Sequence, residues 1–198
     1  HSGGRTLDFV PFAAAHILPD KAQEAASFAA VAAFGAPYSM KMLEIDAVGM
    51  YDTAAEEQGK IFVTTELGGG GTSTANTVGI ARRGVANVLR HAGILSGEPE
   101  PAPTRWLDMP SADCFTFAEH DGLMEPLVDL GMPVERGDVV ARIHSVDRTG
   151  TEPVDLRAGL SGILAARHFP GLVKSGDCAA VVGTCLLYTS PSPRDKRQ

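Results

Sequence analysis

The second half of this chain repeats itself, and the repeat restricts its fold more than any other feature. Val134-Glu-Arg-Gly137-Asp138-Val-Val-Ala141-Arg-Ile143 returns as Val173-Lys-Ser-Gly176-Asp177-Cys-Ala-Ala180-Val-Val182, with Gly176 39 residues after Gly137. Gly122-Leu123 and Gly162-Ile163 recur at nearly the same offset. Each copy reads as strand, Gly-Asp turn, strand. A single unit of this size leaves its apolar face uncovered, so the two copies must pack together as one small β-domain.

That arrangement resembles the barrel-sandwich hybrid of biotinyl and lipoyl domains. Those carriers present a modified lysine on the turn between their halves. The corresponding turn here, about Ser145 to Glu152, has no lysine, and Lys174, the only lysine of the region, lies in a different turn. A structural or lid role is therefore expected for the β-domain, with a non-catalytic binding module as the alternative.

The first half has a different rhythm. Asp20 with Gln23 three residues later reads as a capping pair. An Ala-rich helix follows and stops near Gly35. Met40 to Asp46 reads as a strand, and Gly49 to Gly59 as a polar loop. Ile61-Phe-Val-Thr-Thr-Glu66 is β-branched and aromatic, which predicts a buried strand ending in a charge. Four glycines, Gly68 to Gly71, lead into a helix from about Thr74 to His91, with Val78, Ala81, Val85, Val88 and Ala92 as its apolar stripe. Strand, tight turn and helix in that order belong to an α/β layer. Gly97, Pro99, Pro101 and Pro103 mark a stiff connection. The expected organisation is an α/β layer over 1–95, a Pro-rich linker over 96–110 and the β-domain over 111–184.

Residues 185–198, including Leu187-Tyr-Thr-Ser-Pro-Ser-Pro-Arg-Asp195, resemble a translated sequencing adapter. They are expected to be a non-native tail on a chain cut at both ends. The formal charge is -7, and the tail contributes a net +2, so the body carries -9. An acidic body without a basic stripe argues against nucleic acid or an anionic membrane surface as partners. No apolar run reaches the length needed to span a bilayer. Cys114 and Cys178 are too few for a disulfide framework and read as small buried hydrophobes, which fits a reducing cytoplasm.

Glu66 is the first residue with chemical promise. A carboxylate at the end of a strand, followed by residues without Cβ, stands at the sheet edge where α/β proteins bind ligands, with room for close approach. His1, followed by Ser2-Gly3-Gly4, has the form of a metal ligand at a strand end. None of the six histidines begins an H-x-x-E pair. A catalytic zinc site needs three protein ligands, so the chain lacks a complete set.

His1-Ser2 and Thr64-Thr65-Glu66-Leu67-Gly68, 65 residues apart between His1 and Glu66, resemble the third-ligand and catalytic-base motifs of the succinylglutamate desuccinylase/aspartoacylase family. Gly122-Leu-Met-Glu-Pro126 with Leu130-Gly131 and Val134 resembles the start of that family's C-terminal domain. Thr65 to Thr72 and Ala118 to Pro126 are most similar to its N-acetyl-2,4-diaminobutyrate deacetylases of ectoine breakdown.

The resemblance implies part of a zinc-carboxypeptidase-like mixed-sheet catalytic domain. It implies one Zn2+ per site, held by His1 and by two further ligands from an H-x-x-E motif preceding His1, with Glu66 as base. The substrate would be a small N-acyl amino acid, and homo-oligomers are compatible with the family. The fragment alone is expected to be inactive and to bind zinc weakly. The family's substrate-gripping Asn and Arg are absent, and residues 53–63 lack the arginine that aspartoacylases place before the base. An acyl group other than acetyl, or another amino acid, remains the alternative. Glu119, His120 and Asp121 could face the site from the β-domain, and Tyr51 could contact substrate, although both read more simply as solvated surface. Arg82 and Arg83 read as an exposed helix face and Trp106 as an interdomain packing residue.

Overall fold

The computed structural model describes residues 1, 4–43 and 50–186. In chain order the elements are β1 (Leu7–Phe9), β2 (Phe12–His16), α1 (Lys21–Phe34), β3 (Tyr38–Met42), α2 (Tyr51–Glu56), β4 (Thr64–Glu66), α3 (Ala75–His91) and β5 (Arg105–Asp108). They continue as β6 (Phe115–Phe117), β7 (Gly122–Pro126), β8 (Pro133–Val134), β9 (Val139–His144), β10 (Val154–Arg157), β11 (Gly162–His168), β12 (Leu172–Val173) and β13 (Cys178–Cys185). One nine-stranded mixed sheet runs in the order β1-β11-β13-β5-β3-β2-β4, with β6 on β13 and β8 on β11. A four-stranded sheet runs β10-β9-β7-β12.

The α/β layer lies at one end of the large sheet. β3 pairs in parallel with β2 and β5, and β4 closes the order antiparallel to β2. Ala13 and Ala15 of β2 face a helical layer with Val31, Phe34, Leu67 and Ile80. Phe12 and Ala14 face the opposite cluster with Met40, Leu107, Ile163 and Val181. Small residues on β2 let α1 and the returning strands approach both faces, which is why the Ala-rich run is fully buried.

The repeat is visible atom by atom. Asp138 accepts from Glu135 N, and Asp177 accepts from Lys174 N, each at 2.8 Å. Gly137 and Gly176 have φ of 92° and 93°, a left-handed backbone that glycine adopts without steric cost. Strands are also exchanged between the copies. β8 of the first pairs with β11 of the second through Gly162↔Val134, and β12 of the second pairs with β7 of the first through Val173↔Gly122.

The two halves share hydrogen bonds along the sheet. β13 pairs with β5 through Thr184↔Asp108 and Cys185↔Leu107, and β1 pairs with β11. Arg105–Asp108, expected within the linker, thus form a strand in the middle of the sheet. Trp106 packs edge-on against Phe28 of α1, ring centroids 6.0 Å apart, rather than between halves. Cys185 ends β13, while residues 187–198 lie outside the described residues, as do 44–46 of the expected strand from Met40.

Local expectations were corrected in four further places. Asp20 caps α1 by accepting from Ala22 N and Gln23 N, but the Gln23 amide donates to the carbonyls of Glu56 and Lys60 instead of completing a box. Within the expected loop from Gly49 to Gly59, Tyr51–Glu56 form a helix. Only Thr64–Glu66 of the run from Ile61 are strand, half-buried beside β2. α3 begins at a capping box of Thr74 and Thr77 and buries Thr77, Ile80, Gly84 and Asn87, while Ala81 and Val88 of the expected stripe pack partly buried against the helical cluster. Val78 and Val85 are exposed. The cause is Gly84: a Cβ there would lie 2.3 Å from the Phe34 ring, so the small residues mark the contact face.

Two substitutions on α3 test that contact. Gly79→Ala meets only the mobile Arg83 guanidinium, so it should stabilise by about 0.5–1 kcal/mol through helix propensity. Gly84→Ala should instead destabilise by about 1–3 kcal/mol through overpacking. Urea unfolding midpoints of the two variants read the opposite signs.

Candidate functional site

Glu66 ends β4, and the alternation of the strand decides where it points. Thr65 and Leu67 share one face, and Leu67 is buried in the helical cluster. Glu66 points to the other face, directly across the ladder from Phe12. Its Oε2 lies 2.7 Å from His1 Nδ1. The pair is 65 residues apart in sequence and is held by backbone as well. Leu67 N donates to His1 O at 3.2 Å, and the His1 amine donates to Thr65 Oγ1 at 3.0 Å. The side chains are 64% and 24% exposed, so Glu66 can exchange protons with solvent, and the ion pair itself adds little stability.

The glycine run has a structural reason that the sequence reading did not anticipate. A Cβ on Gly69 would sit 2.1 Å from Leu7 O, and one on Gly70 would sit 2.5 Å from the Phe169 ring. Gly70 and Gly71 have φ of 65° and 69°. Phe9 N donates to Gly68 O, and Gly71 N donates to Gly4 O. The run therefore fixes the end of β4 against β1 and against the residue that follows β11.

The other sequence candidates stand elsewhere. Tyr51 is largely exposed on α2, edge-on to Phe62. Arg82 and Arg83 lie on the exposed face of α3. Glu119 and His120 are exposed, and Asp121 accepts from Ser175 N at 2.8 Å, bracing the second Gly-Asp turn. The sequence reading missed a buried polar group at the far end of β2. His16 Nδ1 lies 2.9 Å from Glu56 Oε2, and its Nε2 lies 3.9 Å from Asp52 Oδ2. The only signal was the i, i+4 spacing of Asp52 and Glu56, hidden in a stretch read as loop.

Among the described residues no three His, Cys, Asp or Glu side chains come together as a metal cluster. The His1 imidazole is a donor type zinc accepts, and the Glu66 carboxylate stands beside it, so the two residues fit one ligand and an adjacent base of a catalytic zinc site. No helix among the described residues is long and apolar enough to cross a membrane.

The cysteines are free. Burial raises the Cys114 thiol and pushes Cys178 up to about 11. Neither thiol is a nucleophile near neutrality. Iodoacetamide labelling of Cys178, followed by peptide mass mapping, should accelerate steadily from pH 7 to pH 10 without a plateau. The contact at the glycine run is testable too. Gly70→Ala should cost more stability in the native background than in Phe169→Ala, and a double-mutant cycle of unfolding free energies should give a coupling of about 0.5–3 kcal/mol.

Residues 1–92 match the family model described as the succinylglutamate desuccinylase/aspartoacylase catalytic domain. N-alpha-acetyl-L-2,4-diaminobutyric acid deacetylase from Halomonas elongata is 51% identical over 184 residues, covering 92% of this chain and 54% of that protein. The product-bound structure of the ectoine utilization protein EutE (DoeB) from Ruegeria pomeroyi is 62% identical with a TM-score of 0.89, covering 93% of this chain and 56% of that one. A succinylglutamate desuccinylase/aspartoacylase structure from Rhodobacter sphaeroides is 34% identical with a TM-score of 0.86, covering 94% of this chain and 57% of that one. The chain thus spans somewhat more than half the length of these relatives. With the catalytic-domain match, the identities and the shared fold agreeing, the chain belongs to the succinylglutamate desuccinylase/aspartoacylase family.

Proposed function

We propose that this chain is part of a zinc-dependent hydrolase that cleaves the amide bond of a small N-acyl amino acid, and that the reaction is deacetylation of N-acetyl-2,4-diaminobutyrate in ectoine breakdown. The observation that carries the reading is the 2.7 Å approach of the His1 imidazole to the Glu66 carboxylate at the end of β4. The name of the Halomonas relative supports the acetyl group and the diaminobutyric acid, and that of the Ruegeria protein supports ectoine utilization.

His1 would be one ligand of the zinc, which when bound supplies a Lewis acid that polarises the acyl carbonyl and acidifies water to a pKa of about 7. Glu66 Oε2 would accept the proton of the attacking water and return it to the leaving amine. Leu67 N donates to the His1 carbonyl, which would hold the main chain of the ligand beside the strand that carries the base. The Gly70–Phe169 contact limits the swing of the segment behind the base.

Succinyl or another acyl group on a different amino acid is the second reading, supported by the family's own name and by the Rhodobacter structure. Competition between N-acetyl-2,4-diaminobutyrate, N-succinylglutamate and N-acetylaspartate separates the two. The assay needs a polypeptide of the relatives' full length that carries this chain. In it, Glu66→Gln should lower kcat by about 10²–10⁴-fold with zinc content unchanged. Full activity in that variant would remove Glu66 from the chemistry.

A further inference from the structure

A half-exposed aromatic ring ties the second copy of the repeat to both segments of the candidate site. Phe169 follows β11 directly. Its backbone N donates to Thr6 O at 2.8 Å, on the segment that leaves His1. Its ring lies against Gly70, on the segment that leaves Glu66, where a Cβ would meet the ring at 2.5 Å. One residue therefore touches the chain five positions after the candidate ligand and four positions after the candidate base.

The corner that carries the ring is fixed on either side of it. His168 is buried and pairs across the ladder with Leu7. Its Nδ1 donates to Pro170 O at 3.1 Å, the carbonyl being an acceptor only. Its Nε2 faces Asp177 Oδ2 at 3.4 Å, and the same oxygen accepts from Lys174 N in the second Gly-Asp turn. Beyond the ring, Met124 N donates to Gly171 O at 2.8 Å. The β half thus sets where the ring stands.

Burial does not explain that place. Phe169 is 53% exposed, and among the described residues it joins none of the three core clusters. A large apolar side chain left half in water forgoes much of the stabilisation that burial brings. What the ring touches is a run of four glycines, the residue with the freest backbone. The hydrogen bonds that hold this run to β1 are long, 3.3 Å at Gly68 O and 3.4 Å at Gly70 N, and so restrain it weakly. The ring supplies the restraint that the backbone lacks.

We propose that Phe169 is a positioning residue: from the β half it holds the glycine run, and through that run it sets the direction of the Glu66 carboxylate beside His1. Its kinetic effect rests on the hydrolase reading, whereas its ordering of the glycine run does not.

Two measurements test it. In the 198-residue chain, amide hydrogen exchange of residues 67–71 should quicken about tenfold or more in Phe169→Ala, with the amides of α1 and β9 unchanged. Phe169→Leu keeps an apolar side chain on Gly70 and should restore most of the protection. Phe169→Val, a smaller truncation, serves should Phe169→Ala fail to fold. In a polypeptide of the relatives' full length, Phe169→Ala should lower kcat about 10–10²-fold while KM and zinc content stay within about twofold. Phe169→Leu should recover most of that rate. A merely structural residue would lower zinc content and kcat together and leave the rate per bound zinc unchanged. Unchanged exchange at 67–71, loosening spread equally over α1 and β9, or loosening with kcat unchanged overturns the proposal. If the full-length protein without substitution hydrolyses no N-acyl amino acid, the hydrolase reading fails, and the exchange result alone decides whether Phe169 orders the run.

Discussion

The structure depends on the eight residues of β13. This strand pairs with β11 and β6 along most of its length, and its last two residues pair with β5. Ala180 and Val182 pack into the core of the β half, while Val181 packs into the cluster shared with β2 and β3. The alternation of a strand is what makes this possible, since successive side chains serve opposite faces. Remove the pairing at Thr184 and Cys185, and the α/β layer keeps only the short β1–β11 ladder as a sheet connection to the rest.

That connection explains where the candidate site lies. β1 is pinned to β11 by Leu7↔His168 through Phe9↔Ala166, and the glycine run lies against β1. Phe169, immediately after β11, rests on Gly70, four residues past Glu66. The β half therefore reaches the end of β4 through packed backbone and one aromatic ring.

The sequence made the repeat legible because a Gly-Asp turn needs both a left-handed residue and a side-chain acceptor, and few residues serve at those positions. The α1 boundaries were legible for the same reason, from Asp20 and Gly35. The approach of His1 to Glu66 was legible only through family likeness, because nothing local relates two residues so far apart. β5 was hidden by its composition: Arg105-Trp-Leu-Asp108 follows Gly97 and three prolines at alternate positions, and its partners lie at residues 38–41 and 184–185. The buried face of α3 was hidden by Gly84, whose contribution is space for Phe34 and not hydrophobicity. His16, Asp52 and Glu56 come together only when α2 docks at the end of β2, a tertiary event with no local periodicity to announce it.

The exchanged strands carry a kinetic consequence. Because β8 is completed by β11 and β12 by β7, neither copy of the repeat can finish its ladder before the other arrives. The β half must assemble from partners about 30 to 50 residues apart, and β13 must then find β5 across a much longer loop. Ladders of such wide sequence separation form slowly and collapse together. Heat or denaturant should therefore meet one concerted transition in which the layer around Glu66 loses its order at the same moment as the intertwined strands.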